Sequence, residues 1–84
     1  MVDIVLKLVG EEVSVTTPNT VSNAVLFRVY TPTGGDSLIT VRDSANNVIG
    51  TMTQPGGFVE IMEKRATDTI EANTAIKCTP VAYK

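Results

Sequence analysis

The chain has 84 residues, a length that suits one domain and is too short for two. Its formal net charge is -2 and its pI is near 4.9, and the basic residues are spread along the chain, which argues against a protein that holds nucleic acid by electrostatic attraction. With no histidine and a single cysteine, the chain lacks an intrachain disulfide and the usual metal-ligand sets, and we expect no cofactor.

The first twenty residues predict a β-hairpin. Apolar residues recur at every second position from Val2 to Leu8, which is the period of a strand, and Val13 and Val15 continue the pattern after the turn at residues 10–12. The segment has neither the positive start nor the length of a secretory signal, and no apolar run approaches the length of a membrane span. We therefore expect synthesis in the cytoplasm and no membrane partner.

Residues 22–31 form the longest stretch of strand-forming residues. Val25, Phe27 and Val29 fall on one face and Ala24, Leu26, Arg28 and Tyr30 on the other, so the strand is largely apolar on both faces. Tyrosine beside arginine is typical of the residues that dominate protein interfaces, and we interpret the second face as a candidate interface. The alternative is a second core layer with Arg28 at its rim.

Residues 37–65 predict a three-stranded meander that organises the rest of the fold. Turn-forming residues at 43–47 and 54–57 separate three strand-forming runs. Ile39 and Val41 are expected to face the core, and Gly50 marks a bulge or a close backbone approach. Met52, Phe58 and Met62 are either core filling or a flexible contact patch.

The remaining residues predict a crossover followed by a last strand. Residues 66–72 favour a short irregular crossover or one helical turn, with Asp68 and Glu71 as its cap. The strand at 75–83 contains Pro80, which cannot donate a ladder hydrogen bond, so we expect this strand at a sheet edge or bulged. Tyr83, near its end, is a further candidate interface residue.

These elements predict an all-β fold. We expect residues 1–84 to form a single domain, an antiparallel β-sandwich or barrel-like sandwich of six to seven strands. In this prediction residues 1–20 form the N-terminal hairpin and residues 22–84 form the main sandwich, with the meander at its centre.

No residue pattern predicts catalysis. Without an imidazole to generate its thiolate, Cys78 is interpreted as a small buried hydrophobic residue. Glu60 and Glu63 are three positions apart, which places them on opposite faces of a strand and makes them a poor acid–base pair. Asp36 and Asp43 offer oxygen ligands, but turns require the same residues. We therefore expect a non-enzymatic protein that carries no metal.

The chain from Val25 onward resembles a known group of proteins. Its DSANN turn, GTMT strand and PGG turn precede the run EKRATDTI and a final TPVAY strand, at residues 43–47, 50–53, 55–57, 63–70 and 79–83. This string resembles small virion structural proteins of tailed bacteriophages, notably of marine phages. Residues 1–20 have no counterpart in the resemblance.

The resemblance implies a capsid decoration, or cement, protein. Such a protein binds the major capsid protein or other virion proteins, stabilises the head lattice in many copies and lies on the capsid surface of the virion after synthesis in the host bacterial cytoplasm. We also expect a homo-oligomer, because a small domain with a limited core gains stability from partners that bind only its folded form. Two alternatives stay open: an Ig-like adhesion or glycan-binding module, and a minor tail or connector component.

Overall fold

The computed structural model describes residues 6–83, which form eight strands in two antiparallel sheets. The strands are β1 (Leu6–Leu8), β2 (Val13–Val15), β3 (Leu26–Tyr30), β4 (Ser37–Arg42), β5 (Val48–Gln54), β6 (Val59–Glu63), β7 (Thr69–Ala72) and β8 (Ile76–Tyr83). The five-stranded sheet has the order β1-β8-β3-β6, with β2 also paired to β8, and the three-stranded sheet has the order β5-β4-β7. The predicted all-β sandwich is confirmed, with eight strands in place of six or seven.

The N-terminal strands β1 and β2 do not form a hairpin with each other. Both pair with β8: Leu8 lies opposite Val81, and Val13 lies opposite Cys78. Because both are antiparallel to β8, they run in the same direction along one of its edges and cannot be antiparallel neighbours. The predicted hairpin at 1–20 is therefore wrong where the structure describes it, and residues 1–5 of its first strand lie outside the described residues.

Pro80 lies in a central strand, since β8 has β3 on one side and β1 with β2 on the other. The prediction that this strand is at an edge or bulged at Pro80 is wrong, since β8 pairs with β3 in unbroken register there, and the physical reason is local. The carbonyl of Pro80 accepts a hydrogen bond from the Val9 N–H at 3.1 Å, so its nitrogen faces the same side, towards the break between β1 and β2. Gly10 fits this contact because a Cβ there would lie 2.8 Å from the Pro80 ring.

The first hairpin of the predicted meander is confirmed. Strands β4 and β5 pair along their length, with a register shift between Val41 and Arg42 that leaves Ile49 as the bulged residue beside Gly50. The Asp43 carboxylate closes the turn by accepting the N–H groups of Ala45 and Asn47, each at 2.9 Å.

The third strand of the predicted meander is in the other sheet. Strand β6 pairs with β3 and places Met62 opposite Phe27. The turn after β5 directs the chain there, because Gly57 N–H donates to the Thr31 carbonyl and Thr31 N–H donates to the Phe58 carbonyl. The meander prediction for residues 37–65 is thus wrong for its last strand, since these bonds attach the turn to the end of β3.

The segment 66–72 is neither an irregular crossover nor a helical turn, because it contains β7. Asp68 closes a tight turn by accepting the Arg65 N–H at 3.1 Å, and Ile70 and Ala72 then alternate as buried residues. Glu71 does not cap this turn and instead forms an ion pair with Arg42 on β4. The period-2 burial of β7 is the physical reason for a strand here.

The core lies between the two sheets, and the sandwich is closed along one side only. Its buried apolar residues come from five strands and one loop: Val15, Val21, Phe27, Val29, Ile39, Ile70, Ala72, Ile76 and Cys78. On the closed side, Asn19 and Ile70 exchange two backbone hydrogen bonds of 3.0 and 2.9 Å, which join the chain after β2 to β7. On the other side β5 and β6 face each other without pairing, and we call this gap the open seam.

Candidate interaction surface

Three of the five candidate interface residues lie together on the outer side of the five-stranded sheet. Leu26, Arg28 and Tyr30 point away from the buried side chains of β3, and the register places Ile61 opposite Arg28 and Val59 opposite Tyr30. Residues directly opposite in an antiparallel pair share a face. We call these five residues the outer-sheet face.

The outer-sheet face combines one cation, one aromatic ring and exposed aliphatic side chains. The Arg28 guanidinium lies 5.9 Å from the centre of the Tyr30 ring, within reach of a cation–π contact. Val59 and Ile61 are 43% and 36% exposed, while Leu26, Arg28 and Tyr30 are half-buried. Arginine and tyrosine beside apolar surface are enriched where proteins bind one another.

The other two candidate interface residues have different places. Met62 lies on the core side of β6 opposite Phe27, where it packs against the buried cluster, so it is separated from the outer-sheet face by the sheet itself. Tyr83 ends β8, where its backbone is paired with that of Leu6.

The open seam contains apolar surface that includes two residues of the predicted contact patch, Met52 and Met62. A groove of about 240 Å³ lies between the sheets there, with Ile39 and Val41 as its floor, Ile49 and Met52 on one wall and Met62 on the other. Ile49 is 53% exposed and Met52 is 36% exposed, although apolar residues in a strand are usually buried in the core. No local pattern in the sequence marks their exposure, because it depends on the pairing of β6 with β3 in the other sheet.

A second groove, of about 440 Å³, lies at the start of β3. Its apolar lining includes Val9, Val25 and Pro80, and Val25 is 54% exposed. Its lining also includes Ser22 and Asn23, which belong to a segment, residues 21–23, with left-handed backbone at three successive positions.

The two most buried reactive side chains serve the fold. Cys78 has no exposed surface, and burial, together with the nearby Glu12 charge, raises the pKa of its thiol to about 12, so the nucleophilic thiolate is suppressed. The Lys64 ammonium donates to the Ala24 carbonyl at 2.7 Å and lies 5.8 Å from the Phe27 ring centre. Burial lowers the pKa of Lys64, against the opposing attraction of Asp68.

Across residues 6–83 no three histidine, cysteine, aspartate or glutamate side chains gather as a set of metal ligands. The same residues include no helix with the length and apolar character needed to cross a membrane.

Comparison with known proteins identifies no relative: the chain matches no protein-family model, no curated protein and no solved structure.

Proposed function

We propose that this chain is a non-enzymatic structural protein of a bacteriophage virion, and that it acts as a capsid decoration protein which binds the head lattice through its outer-sheet face. The observation that carries the proposal is the contiguous surface of Arg28, Tyr30, Val59 and Ile61, in which exposed aliphatic side chains adjoin an arginine stacked near a tyrosine. Such surfaces on small domains serve association with a larger partner. The resemblance of residues 25–83 to phage virion proteins supports the choice of partner.

The chemistry of the outer-sheet face defines the partner surface that it fits. Arg28 is joined on this side of the sheet by Lys77, which lies opposite Tyr30 in the register between β3 and β8. Glu63, opposite Leu26, adds one carboxylate on the same side, so Arg28 and Lys77 leave this region with a small positive charge on a chain whose net charge is -2. We expect it to meet an apolar surface of the major capsid protein with a carboxylate opposite Arg28, since a guanidinium pairs best with that group.

The first test is the composition of purified virions, measured by quantitative mass spectrometry. A capsid decoration protein is present in numbers comparable to those of the major capsid protein. Absence of the chain from the particles would refute a virion role, and a few copies per particle would replace decoration by the minor tail or connector alternative.

The second test measures binding to capsids from which the chain has been removed, by sedimentation with purified protein. Ile61→Lys puts a charge at the centre of the outer-sheet face, and we expect binding to weaken at least tenfold, which corresponds to about 1.4 kcal/mol. Thr17→Lys makes the same change in net charge on an exposed loop and should bind as the unmodified chain does.

Equal binding by Ile61→Lys would show that another surface contacts the capsid, and no binding by any form would contradict decoration. Capsids that carry the chain are expected to resist heat and osmotic shock better than capsids that lack it. Hits on a glycan array in the absence of capsid binding would favour the adhesion module instead.

A further inference from the structure

Strand β5 is an edge strand whose backbone and apolar side chains are both uncovered. Within the described residues it pairs with β4 alone, so its far side presents a row of free N–H and C=O groups. Every residue of β5 before Gln54 is exposed, with Val48 at 52% and Ile49 at 53%. A seven-residue edge with these properties is a template for pairing with another strand.

The charge pattern indicates which strand fits it. None of the seven residues of β5 is ionisable, whereas the edge strand β6 exposes Glu60 and Glu63, and β1 exposes Lys7. Proteins commonly place charges on edge strands to prevent pairing between copies, and β5 has no such protection. Two β5 strands meet no like charges, while two β6 strands would bring four glutamates together.

We propose that two copies of the chain form a two-fold symmetric dimer by antiparallel pairing of their β5 strands around the middle residue, Thr51. In this register Val48 of one copy lies opposite Gln54 of the other, and Gly50 lies opposite Met52. The two three-stranded sheets become one sheet of six strands, and Ile49 and Met52 lose their exposure to water.

Three features of the fold and of its symmetry favour this arrangement. The Gln54 amide donates to the carbonyls of Val29 and Phe58, at 3.4 and 3.0 Å, which fixes the end of β5 against the other sheet. A two-fold interface closes at two copies, so it consumes the edge without producing fibres. The outer-sheet face belongs to the other sheet and stays free for a further partner.

The dimer carries two outer-sheet faces and could bind the capsid at two points. This role of the dimer rests on the proposed decoration function. Its test uses the purified chain without capsids, so failure of the dimer and failure of capsid binding are separate results.

Sedimentation equilibrium over a wide concentration range measures the dimer directly. Interfaces below about 1,200 Å² are weak, so the series should extend to about 1 mM protein. Thr51→Lys places two like charges opposite each other at the centre of the pairing, and we expect the dissociation constant to rise at least tenfold. Thr17→Lys, with the same added charge on an exposed loop, should dimerise as the unmodified chain does.

Three outcomes would overturn the proposal: a monomer at every concentration, an unchanged dimer in Thr51→Lys, or an equal loss in Thr17→Lys. Circular dichroism and thermal unfolding of each variant show whether it is folded, and Thr51 is exposed, so the substitution removes no core contact.

A cysteine cross-link tests the register. Thr51→Cys places two thiols opposite each other near the two-fold axis, where Cβ atoms of opposed residues are about 4.5–5.5 Å apart, close to the spacing of a disulfide. Oxidised glutathione should then convert most of the chain to a covalent dimer, while Thr17→Cys should stay largely monomeric. The native Cys78 is buried and does not compete. No cross-link at Thr51, or equal cross-linking at Thr17, would contradict the pairing.

Discussion

The left-handed segment at residues 21–23 supports a stability prediction with an unusual sign. Val21, Ser22 and Asn23 have φ angles of 53°, 56° and 58°, a region that non-glycine residues rarely occupy. The segment is held there by its surroundings: the Asn19 side chain accepts the Val21 N–H at 2.7 Å, and Val21 has no exposed surface. Ser22 is exposed, so its side chain can be removed without loss of core packing.

We expect Ser22→Gly to stabilise the protein. Holding a non-glycine residue in the left-handed region costs about 1–2 kcal/mol, and glycine removes that cost. Glycine also loses more backbone entropy on folding, which costs about 0.5–1 kcal/mol. The net gain is about 0.5–1 kcal/mol, which for a domain of this size raises Tm by about 5 °C. Val21→Gly should instead destabilise, because the loss of a buried valine costs about 1.5–3 kcal/mol and exceeds the strain that is relieved.

The predicted stabilisation is measured by urea titration and thermal unfolding of three forms: the unmodified chain, Ser22→Gly and the control Ser44→Gly. Ser44 is also exposed in a turn, but it is not among the residues with positive φ, so glycine there should be neutral or slightly destabilising. A Ser22→Gly protein that is no more stable than the unmodified chain, or a Ser44→Gly protein that gains as much, would refute the strain argument.

Three further predictions concern single residues. Gly56→Ala should destabilise by about 1–3 kcal/mol in urea titration, because its Cβ would lie 2.7 Å from the Gly35 carbonyl oxygen, whereas Gly50→Ala meets nothing within 4 Å and should be far milder. Cys78 should be almost unreactive to Ellman's reagent at pH 8 unless the protein is unfolded. Because the pKa of its thiol is raised to about 12 in the folded protein from 9.0, the contribution of the thiol to stability should be lost as pH rises from about 9, and the stability of Cys78→Val should decline less over the same range. Hydrogen bonds from the backbone of Asn47 lower the pKa of Asp43 from 3.8, so the stability that this carboxylate contributes is present above that value and lost as pH falls through the lower folded value; the urea midpoint should fall less steeply with acid in Asp43→Asn.

Local patterns were sufficient to predict the fold class and every strand except β7, because alternation and turn chemistry act over a few residues. The φ of 68° at Asn46 and the bulge beside Gly50 follow from residue types that the sequence displays. Burial of Phe27 and Ile39 followed from alternation in the same way, whereas Val25, on the same predicted face as Phe27, precedes β3 and is 54% exposed.

Strand partners could not be predicted, because pairing depends on contacts between distant residues. The PGG turn resembles a hairpin turn, yet Thr31, which is distant in sequence, bonds to its backbone and directs β6 to the other sheet. Because proline has no N–H to donate, Pro80 predicts an edge strand. In the structure its nitrogen faces the break between β1 and β2, where no strand needs that donor, so β8 can be a central strand. For this reason the interaction surfaces could be predicted from the sequence only in part. The shared face of Leu26, Arg28 and Tyr30 is a property of one strand, whereas the exposure of Ile49 and Met52 depends on how the strands are divided between the two sheets.

The open seam follows from this division of strands between sheets. If β6 had paired with β5 as a meander, the edge of β5 would be occupied and Met52 would be covered. The attachment of the turn at residues 55–57 to Thr31 directs β6 to β3 instead, which completes the five-stranded sheet and leaves β4 as the one neighbour of β5 among residues 6–83. The same contact thus adds Val59 and Ile61 to the outer-sheet face and uncovers the uncharged edge. A fold in which β6 paired with β5 would lack both the outer-sheet face and the free edge of β5. Because one contact creates both surfaces, we propose the outer-sheet face for the capsid and the edge of β5 for a second copy.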